Sequence, residues 1–440
     1  MTILTKKQAV LTAFAALLTA SILSVASRAQ EASGEKAAPA TGTVTGRVFY
    51  SDTKAPARLA QIILVKLSPA ADAATNNNAA KAKRDPLSFA MSGFGQTGLD
   101  GRFELTNVPA GKYIAVAQQN GFVNPIARID ISVLNNLQIP NVLSPAKLTE
   151  DKIKDYLSDL TIVTVIAGKT VDVPLSLARG ASISGVLSYD DGSPAVGVPV
   201  HLLRKSKSGS YEEPSMMSLG AVASNSTLMG FVTDDQGHFR IAGLAGGSYA
   251  LRATLPLNLL KNLGNKLKST IALSMASPGS FNSVAKHDEG LSVFSGNVFA
   301  AKDLKPIEVG EGEAVTGADI TIPFNGMHSV QAHVEDSADG HAIDLAQVEL
   351  LDADGKETLR TGFVDDDGNC TFDYVPDGQY TLQTANALDT SPAEKPMDGN
   401  YDPKKIIRYS QAKTKITVSG DVSGIVLQVT KVAASTSAAQ

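Results

Sequence analysis

Residues 98–113 read GLDGRFELTNVPAGKY, and this stretch decides the fold of the chain. The pattern indicates short extended pieces joined by two tight turns. It returns as DDQGHFRIAGLAGGSY at residues 234–249 and as DDDGNCTFDYVPDGQY at residues 365–380. The copies share a glycine, then an apolar residue, a second glycine and a tyrosine at fixed spacing: Gly101, Val108, Gly111 and Tyr113; Gly237, Leu244, Gly247 and Tyr249; Gly368, Val375, Gly378 and Tyr380. One β module is therefore predicted to occur three times.

The length and composition agree with three all-β domains. A chain of 440 residues is too long for one ordinary domain. Its 43% of hydrophobic residues can form cores, and 37 glycines and 20 prolines supply frequent turns. Short alternating runs surround each copy, about seven per module, which is typical of an antiparallel sandwich. We predict an all-β fold of three tandem seven-stranded antiparallel β-sandwiches, transthyretin-like in type, with loop and short helical insertions.

The chain divides into six predicted segments. These are a signal peptide at 1–29, a flexible leader at 30–41, β-sandwich repeats at 42–178, 179–324 and 325–432, and a disordered tail at 433–440. Insertions are predicted at 68–96, 120–158, 205–229 and 256–300. The second and fourth insertions contain apolar residues at helical spacing. The lysine-bearing helical pattern at 257–273 fits a cover over a sheet edge, and a membrane-surface helix is the alternative.

The N-terminal segment and the charge point to export. Lys6 and Lys7 precede an apolar run, and small residues flank Arg28 at a cleavage site after Ala29. An uncleaved membrane anchor is the alternative, because the run is long for a signal peptide. Cleavage removes three basic and no acidic residues, which takes the formal net charge from −5 to −8. An acidic chain of this kind lacks the footprint of a nucleic-acid binder.

The repeated positions predict structural roles. Asp100-Gly101 suits a two-residue hairpin turn in which both central residues have positive φ. The apolar residue of each copy is expected to leave its strand and close the end of the sandwich. The tyrosine ring is expected to be buried with its hydroxyl bonded to the backbone, as in a tyrosine corner. A ligand contact is the alternative role. Cys370, the single cysteine, replaces Phe103 and Phe239 and is predicted to be a small buried core residue.

These motifs resemble a known domain family. Gly46-Arg47-Val48, the run DGSPAVGVPVHL at residues 191–202 and the three repeated blocks resemble the carboxypeptidase regulatory-like domain, a transthyretin-like (prealbumin-like) sandwich. The third module departs most, because Ala332 replaces the strand glycine and Cys370 the aromatic residue. In the family, such domains accompany exported peptidases, lie at the periplasmic end of TonB-dependent receptors, or stand in tandem in secreted bacterial proteins. The resemblance implies the last kind.

The sequence contains neither a zinc-peptidase motif nor a serine-hydrolase motif. A zinc carboxypeptidase needs a His-x-x-Glu pair and a distant histidine, and none of the six histidines begins that pair. No Gly-x-Ser-x-Gly elbow occurs either. His287-Asp288-Glu289 is the compact histidine and carboxylate cluster, and we interpret it as a solvated loop. The histidines are His201, His238, His287, His328, His333 and His341. We predict no catalytic residues, no metal ligands and no cofactor.

Two ligand classes are weighed against structural roles. The turns at 352–355 and 365–368 are rich in aspartate and could hold calcium, but aspartate before glycine is also a preferred turn residue. Carbohydrate binding is the main alternative function, although tryptophan is absent and only 5% of residues are aromatic. The aromatic candidates in or beside insertions are Tyr211, Phe281, Phe294, Phe299 and Tyr401.

The sequence favours an exported, non-catalytic binding or structural protein at the cell surface or in the periplasm. We expect recognition to lie in the insertions, because loops on a rigid scaffold carry contacts. A carbohydrate-binding protein of starch-binding-like fold is one alternative, and an accessory subunit of an exported peptidase or outer-membrane receptor is another. The expected partner is a protein or polysaccharide, with no nucleic acid and no membrane span after signal cleavage. The oligomeric state is left open.

Overall fold

The computed structural model describes residues 40–68, 91–135, 148–213, 231–255, 290–390 and 406–432. The predicted signal peptide, most of the leader, the tail and the central parts of the four predicted insertions lie outside these ranges. So do the helical pattern at 257–273, the cluster at 287–289, Phe281 and Tyr401.

The described residues form three β-sandwiches, which confirms the predicted fold class. Module 1 contains β1 Thr41–Tyr50, β2 Gln61–Ser68, β3 Met91–Gln96, β4 Arg102–Pro109, β5 Gly111–Gln118, β6 Leu148–Thr149, β7 Thr161–Val165, β8 Thr170–Asp172 and β9 Leu175–Leu177. One sheet has the order β4-β1-β8 with β9 also on β1, and the other has the order β3-β2-β5-β7 with β6 on β2. The two sheets enclose a core that includes Val44, Phe103 and Tyr113.

Module 2 repeats this arrangement. It contains β10 Ala181–Tyr189, β11 Pro199–Lys205, β12 Tyr211–Glu212, β13 Phe231–Val232, β14 His238–Leu244, β15 Gly247–Leu255, β16 Leu291–Phe294, β17 Ile307–Val309, β18 Ala314–Val315 and β19 Ile320–Ile322. Its sheets are centred on β10 and on the β11-β15 pair. The core between them includes Ile183, Phe239 and Tyr249.

Module 3 has longer and less interrupted strands. It contains β20 Met327–Asp336, β21 Leu345–Leu351, β22 Thr358–Phe363, β23 Asn369–Pro376, β24 Gly378–Thr390, β25 Ile406–Arg408, β26 Lys413–Val418 and β27 Val422–Val429. Its sheets have the orders β23-β20-β27 and β22-β21-β24-β25, with β26 on β24. The core includes Val330, Cys370 and Tyr380.

Each sandwich contains parallel strand pairings in addition to the predicted antiparallel ones, and in module 1 these include β6 on β2. The closing strand lies parallel to the first: β8 and β9 on β1, β18 and β19 on β10, and β27 on β20. In module 1 the chain leaves β7 in one sheet and enters β8 in the other through a short turn, so β8 runs alongside β1 rather than against it. The first strand therefore has a partner strand on each side and does not form an exposed edge of its sheet.

The insertion of module 1 covers the outer face of a sheet. It contains α1 Ile131–Asn135, α2 Glu150–Ile153 and 3-10 helices at Pro125–Arg128 and Lys154–Asp159. Ile126, Ile129 and Ile153 pack with Ile114 and Val116 of β5 in a second apolar cluster. The predicted helical spacing around Ile153 thus serves burial of the sheet.

The first turn of each repeated block is a three-residue hairpin turn rather than the predicted two-residue type. In module 1 the Gly101 N–H donates to the Gly98 carbonyl at 3.1 Å, and the Gly98 N–H donates to Arg102 at 2.8 Å. Gly101 has φ +78, while Asp100 is not among the residues with positive φ. A type I turn followed by one left-handed glycine has this geometry. Gln236 can therefore replace aspartate before Gly237, because that position needs no positive φ.

The apolar residue of each copy stays in its strand, contrary to the prediction. Val108, Leu244 and Val375 are paired with the first strand of their modules and buried. A bulge turns the apolar side chain inward without ending the strand. The bulge residues have φ of +58, +82 and +59 and are Asn107, Gly243 and Tyr374 in modules 1, 2 and 3.

The tyrosines confirm the predicted corner. The hydroxyl of Tyr113 donates to the Pro109 carbonyl at 2.7 Å, that of Tyr249 to Ala245 at 2.7 Å and that of Tyr380 to Pro376 at 2.9 Å. All three rings are buried. In module 3 a side chain at Gly378 would come within 3.3 Å of the Tyr380 ring, so the glycine makes room for it. The repeated Gly-x-Tyr is a packing unit.

Leu59 is held in a backbone conformation that suits glycine. It has φ +56 and is 56% exposed, and the equivalent residue of module 2 is Gly197 with φ +70. The left-handed conformation costs a non-glycine residue about 1–2 kcal/mol. We expect Leu59→Gly to stabilise module 1 by about 1 kcal/mol in urea unfolding, after the greater freedom of glycine in the unfolded chain is counted. The reciprocal Gly197→Leu should destabilise module 2, and a destabilised Leu59→Gly variant would contradict this reasoning.

Candidate functional site

The aromatic candidates for sugar binding that the structure describes are packed against the protein. Phe294 is 7% exposed and lies in an apolar cluster with Leu203 and Ala250. Phe299 is partly buried against the core of module 2. Tyr211 is half-buried, and its hydroxyl is 2.8 Å from the Ser248 Oγ. Sugar platforms need exposed rings, so these three residues do not form one.

Cys370 is a buried core residue, as predicted. Its side chain is 2% exposed, and a methyl group added at Gly362 would lie only 2.6 Å from its Sγ. The thiol packs with Phe372 in the core of module 3. The smaller cysteine replaces the phenylalanine of the other copies within this core.

Polar groups of module 1 and module 2 interlock at their junction. The Arg204 guanidinium on β11 donates to the carbonyl of Ala127 and, at 3.0 Å, to that of Ile129. The backbone N–H of Lys207 donates to Asp130 at 2.7 Å, and Asp130 is buried. Burial opposes ionisation of Asp130, but bonds from Ser132 and Lys207 outweigh it and lower its pKa. Two exposed ion pairs accompany these contacts, Arg128–Glu311 at 3.1 Å and Arg179–Asp52 at 3.0 Å.

At the junction between module 2 and module 3, the earlier module supplies a lysine and the later module supplies the carboxylates. The Lys302 ammonium lies 2.6 Å from Asp352 and 3.6 Å from Asp354. The backbone N–H of Ala301 donates to the Glu357 carboxylate at 2.5 Å. The turn considered for calcium is thus bonded to a lysine of the preceding module. In the other aspartate-rich turn, the Asp365 carboxylate accepts N–H bonds from its own turn.

The lowered pKa of Asp352 makes the unfolding free energy depend on pH. Burial opposes its ionisation, but Lys302 and the N–H groups of Lys356 and Glu357 outweigh burial and lower the pKa to about 2. A depressed folded-state pKa stabilises the fold above the ordinary aspartate pKa of about 3.9, and the contribution disappears as pH falls towards 2. Between pH 5 and 2 we expect the wild type to lose roughly 2 kcal/mol more unfolding free energy than Asp352→Asn in urea titrations. Asp235→Asn, an exposed change in module 2, is the control, and parallel pH profiles for Asp352→Asn and the wild type would contradict the assignment.

A cluster of a histidine, three aspartates and a tyrosine lies at one end of module 3. His341 Nδ1 is 2.5 Å from Asp339 Oδ1 and 4.0 Å from Asp336 Oδ2, and its Nε2 is 3.0 Å from Asp389 Oδ2. Asp336 and Asp389 are each 6% exposed. The hydrogen bond to Asp339 raises the pKa of His341, and burial followed by the charges of Asp336 and Asp389 raises the pKa of Tyr409.

Sequence reasoning misses this cluster. It tests His341 only against a zinc peptidase pattern, and Asp389 and Tyr409 lie far along the chain from it. The local signal is the run Asp336-Ser-Ala-Asp-Gly-His341, which places two carboxylates and an imidazole around one turn. His201, another described histidine, shares the Glu213 carboxylate of module 2 with Arg252.

An open groove of about 450 Å³ runs beside β10 and β14 in module 2. Its two carboxylates bond the local backbone. Asp319 accepts the N–H of Val186 at 2.8 Å, and Asp234 accepts that of His238 at 2.8 Å, which lowers the Asp234 pKa. These carboxylates shape the turns that border the groove.

Comparison with known proteins does not identify the function of the chain. No family model and no curated protein matches it. Among solved structures it is similar to the Bacillus anthracis TIE protein, at 14% identity and a TM-score of 0.18, covering 89% of this chain and 51% of that one. It is also similar to a streptococcal ancillary pilin, at 13% identity and a TM-score of 0.25, covering 89% and 98%. The major pilin subunit of Bacillus cereus gives 11% identity and a TM-score of 0.18, covering 89% and 99%. TM-scores this low carry no argument about function.

Within the described ranges, no helix has the length and apolar character needed to cross a membrane.

Proposed function

We propose that this chain is an exported, non-catalytic structural protein whose three sandwiches act as one stiff spacer at the cell surface or in the periplasm. The observation that carries the proposal is a hydrogen bond to a buried carboxylate across each junction: Asp130 accepts the backbone N–H of Lys207 of the next module, and Asp352 accepts a bond from the Lys302 ammonium of the previous one. A buried charge is costly without its partner, so each pair favours one docked arrangement.

The short connections between modules support the same proposal. The last strand of module 1 ends at Leu177 and the next begins at Ala181, while β19 ends at Ile322 and β20 begins at Met327. Asp190 accepts hydrogen bonds from both the backbone and the side chain of Asn325 within the second connection. Links of this length restrict the independent rotation that is otherwise expected of tandem domains.

The two junctions also favour one order of modules. The turn at 206–210 presents the backbone N–H of Lys207 to Asp130 and its ammonium to Asp155. The equivalent turn of module 3 presents Asp352 and Asp354 to Lys302. Placing the turn of module 3 in the position of the turn at 206–210 would bring Asp352 and Asp354 towards Asp155, and this repulsion between like charges acts against misdocking. The sequence motifs alone carry the resemblance to tandem carboxypeptidase regulatory-like domains. This resemblance supports the proposal that the chain belongs to that family and is exported.

Distance measurements between spin labels test the stiff spacer. Labels at Asp235→Cys in module 2 and Lys415→Cys in module 3, in a Cys370→Ala background, should give one narrow distance distribution. Lys302→Ala should broaden it, because Asp352 loses its partner across the junction. Lys305→Ala removes a neighbouring exposed lysine and should leave the distribution narrow. A broad distribution in the unaltered junction would overturn the proposal.

Export is tested separately by cell fractionation. In a bacterial host the full chain should be recovered outside the cytoplasm, and a chain lacking residues 1–29 should remain inside. Cytoplasmic retention of the full chain would refute the exported setting without bearing on the stiffness of the junctions.

A further inference from the structure

The cluster around His341 stands at a position that the other modules fill with an aromatic ring. The first strand of each module ends at Tyr50, Tyr189 and Asp336, respectively. The Tyr50 ring stacks on Phe122 with centroids 4.9 Å apart, and the Tyr189 ring contacts Phe324 edge-on at 5.6 Å. Module 3 instead places a carboxylate here, and only 6% of that residue is exposed. Asp336 accepts the backbone N–H of Ala338 at 2.9 Å, and a buried carboxylate is usually also paired with a cation or coordinated to a metal.

We propose that His341, Asp336 and Asp339 bind a divalent transition-metal ion, with Zn²⁺ as the best match. One donor atom from each residue lies within 4.8 Å of the other two. Tetrahedral zinc bonds of about 2.0–2.2 Å place the donors about 3.4 Å apart, so Asp339 has to move away from His341 Nδ1 and Asp336 slightly towards it. Asp339 lies on an exposed turn, so its carboxylate can withdraw from the imidazole to admit the ion. Three protein donors leave the fourth tetrahedral position to water.

The surroundings of His341 are those of a metal-ligating imidazole. Its Nδ1 faces Asp336 and Asp339, while its Nε2 is bonded to the buried Asp389 at 3.0 Å. A carboxylate on the second nitrogen fixes the orientation of a ligating histidine and increases its basicity. Asp389 lies on β24, a core strand, and Asp336 ends β20, so two of the four side chains are held by the sheets rather than by the turn.

The donor set distinguishes between ions. Ca²⁺ takes six to eight oxygen ligands, and this site offers an imidazole nitrogen with two carboxylates. Mixed nitrogen and oxygen donors in this number suit zinc and its first-row neighbours. The two acidic turns weighed for calcium, by contrast, are engaged by Lys302 and by their own backbone. The proposed site is therefore separate from both.

Calorimetric titration of the chelator-treated full chain with Zn²⁺ alone tests the proposal. The wild type should bind Zn²⁺, and His341→Gln and Asp339→Asn should each weaken this binding at least ~10-fold. Asp389→Asn, which leaves the three ligands in place, should weaken it by about 10–100-fold through loss of orientation. His333→Gln is the matched control, because His333 lies in the same module and its ring is bonded to Asn369. Asp339→Asn lies on an exposed turn and keeps the test valid if His341→Gln is destabilised.

Three outcomes would overturn the site. They are no Zn²⁺ binding by the wild type, Zn²⁺ binding of undiminished strength in both His341→Gln and Asp339→Asn, and Ca²⁺ binding at this site as tight as that of Zn²⁺. Zn²⁺ should also raise the unfolding temperature of the wild type, because an ion that binds only the folded state stabilises it. The same ion should leave the unfolding temperature of His341→Gln unchanged.

Discussion

Gly46→Ala is expected to destabilise module 1 by about 3 kcal/mol, at the upper end of the range of about 1–3 kcal/mol that is typical of overpacking. A methyl group at Gly46 would lie 2.1 Å from the carbonyl oxygen of Val173 and 2.7 Å from the Phe103 ring. Neither neighbour can yield easily, since one is backbone and the other is a core ring. Scanning calorimetry of the full chain should show the transition of module 1 at a lower temperature, with the other transitions unchanged.

Alanine substitutions at two other glycines serve as comparisons for this prediction. At Gly185 of module 2 the added methyl would lie 2.5 Å from the Ala318 carbonyl oxygen, so Gly185→Ala should be similarly harmful. At Gly420 nothing lies within 4 Å of an added methyl, and Gly420→Ala should be close to neutral. Equal stability of Gly46→Ala and Gly420→Ala would contradict the expected clash with the Val173 carbonyl.

Module 3 explains why alanine is tolerated at the equivalent position. The closing strand of module 1 is interrupted between β8 and β9, and the Val173 carbonyl at this interruption approaches Gly46. In module 3 the closing strand β27 is continuous, and Ala332 pairs directly with Ile425. The departure from the repeat at Ala332 therefore accompanies a different path of the closing strand.

Truncation of Tyr113 is the second large effect, with about 4 kcal/mol expected for Tyr113→Ala because a fully buried ring is lost. Tyr113→Phe isolates the hydroxyl. It removes the 2.7 Å bond to Pro109 and leaves that carbonyl without this donor, at a cost of about 1–2 kcal/mol. Urea unfolding of module 1, compared across the two variants, should separate the ring from the hydroxyl contribution.

Tyr374→Phe provides the control for removal of a hydroxyl. Tyr374 is 48% exposed, so its variant should match the wild type within about 0.5 kcal/mol. A ligand-contact role for the repeated tyrosines would instead leave stability unaffected in Tyr113→Phe. That result would disprove the assignment of these tyrosines to the scaffold.

Much of each module could be predicted because its signals are local in sequence. The left-handed Gly101, the alternation of Phe103 and Leu105, and the bond from Tyr113 to Pro109 all lie within one block of sixteen residues. The predicted turn type is wrong because it requires positive φ at Asp100 as well as at Gly101. Only backbone geometry separates a two-residue turn from a three-residue turn with the same glycine.

The candidate site and the junctions depend on residues that are distant along the chain. His341 lies in the connection between β20 and β21, and the pairing of β21 with β24 brings Asp389 next to it. Lys302 meets Asp352 only when two modules dock. An aspartate in a turn has the same local pattern whether it caps that turn, pairs with a lysine or binds a metal. Sequence spacing therefore could not assign Asp352 or Asp336.

The amino-acid sequence by itself determined that one β module occurs three times, with glycines and tyrosines at the positions where the backbone and the core require them. The tertiary structure decided the parallel closing strand, the charged junctions and the cluster around His341. The physical reason is range: turn and strand preferences act over a few neighbouring residues, whereas buried charges find their partners across sheets and between modules.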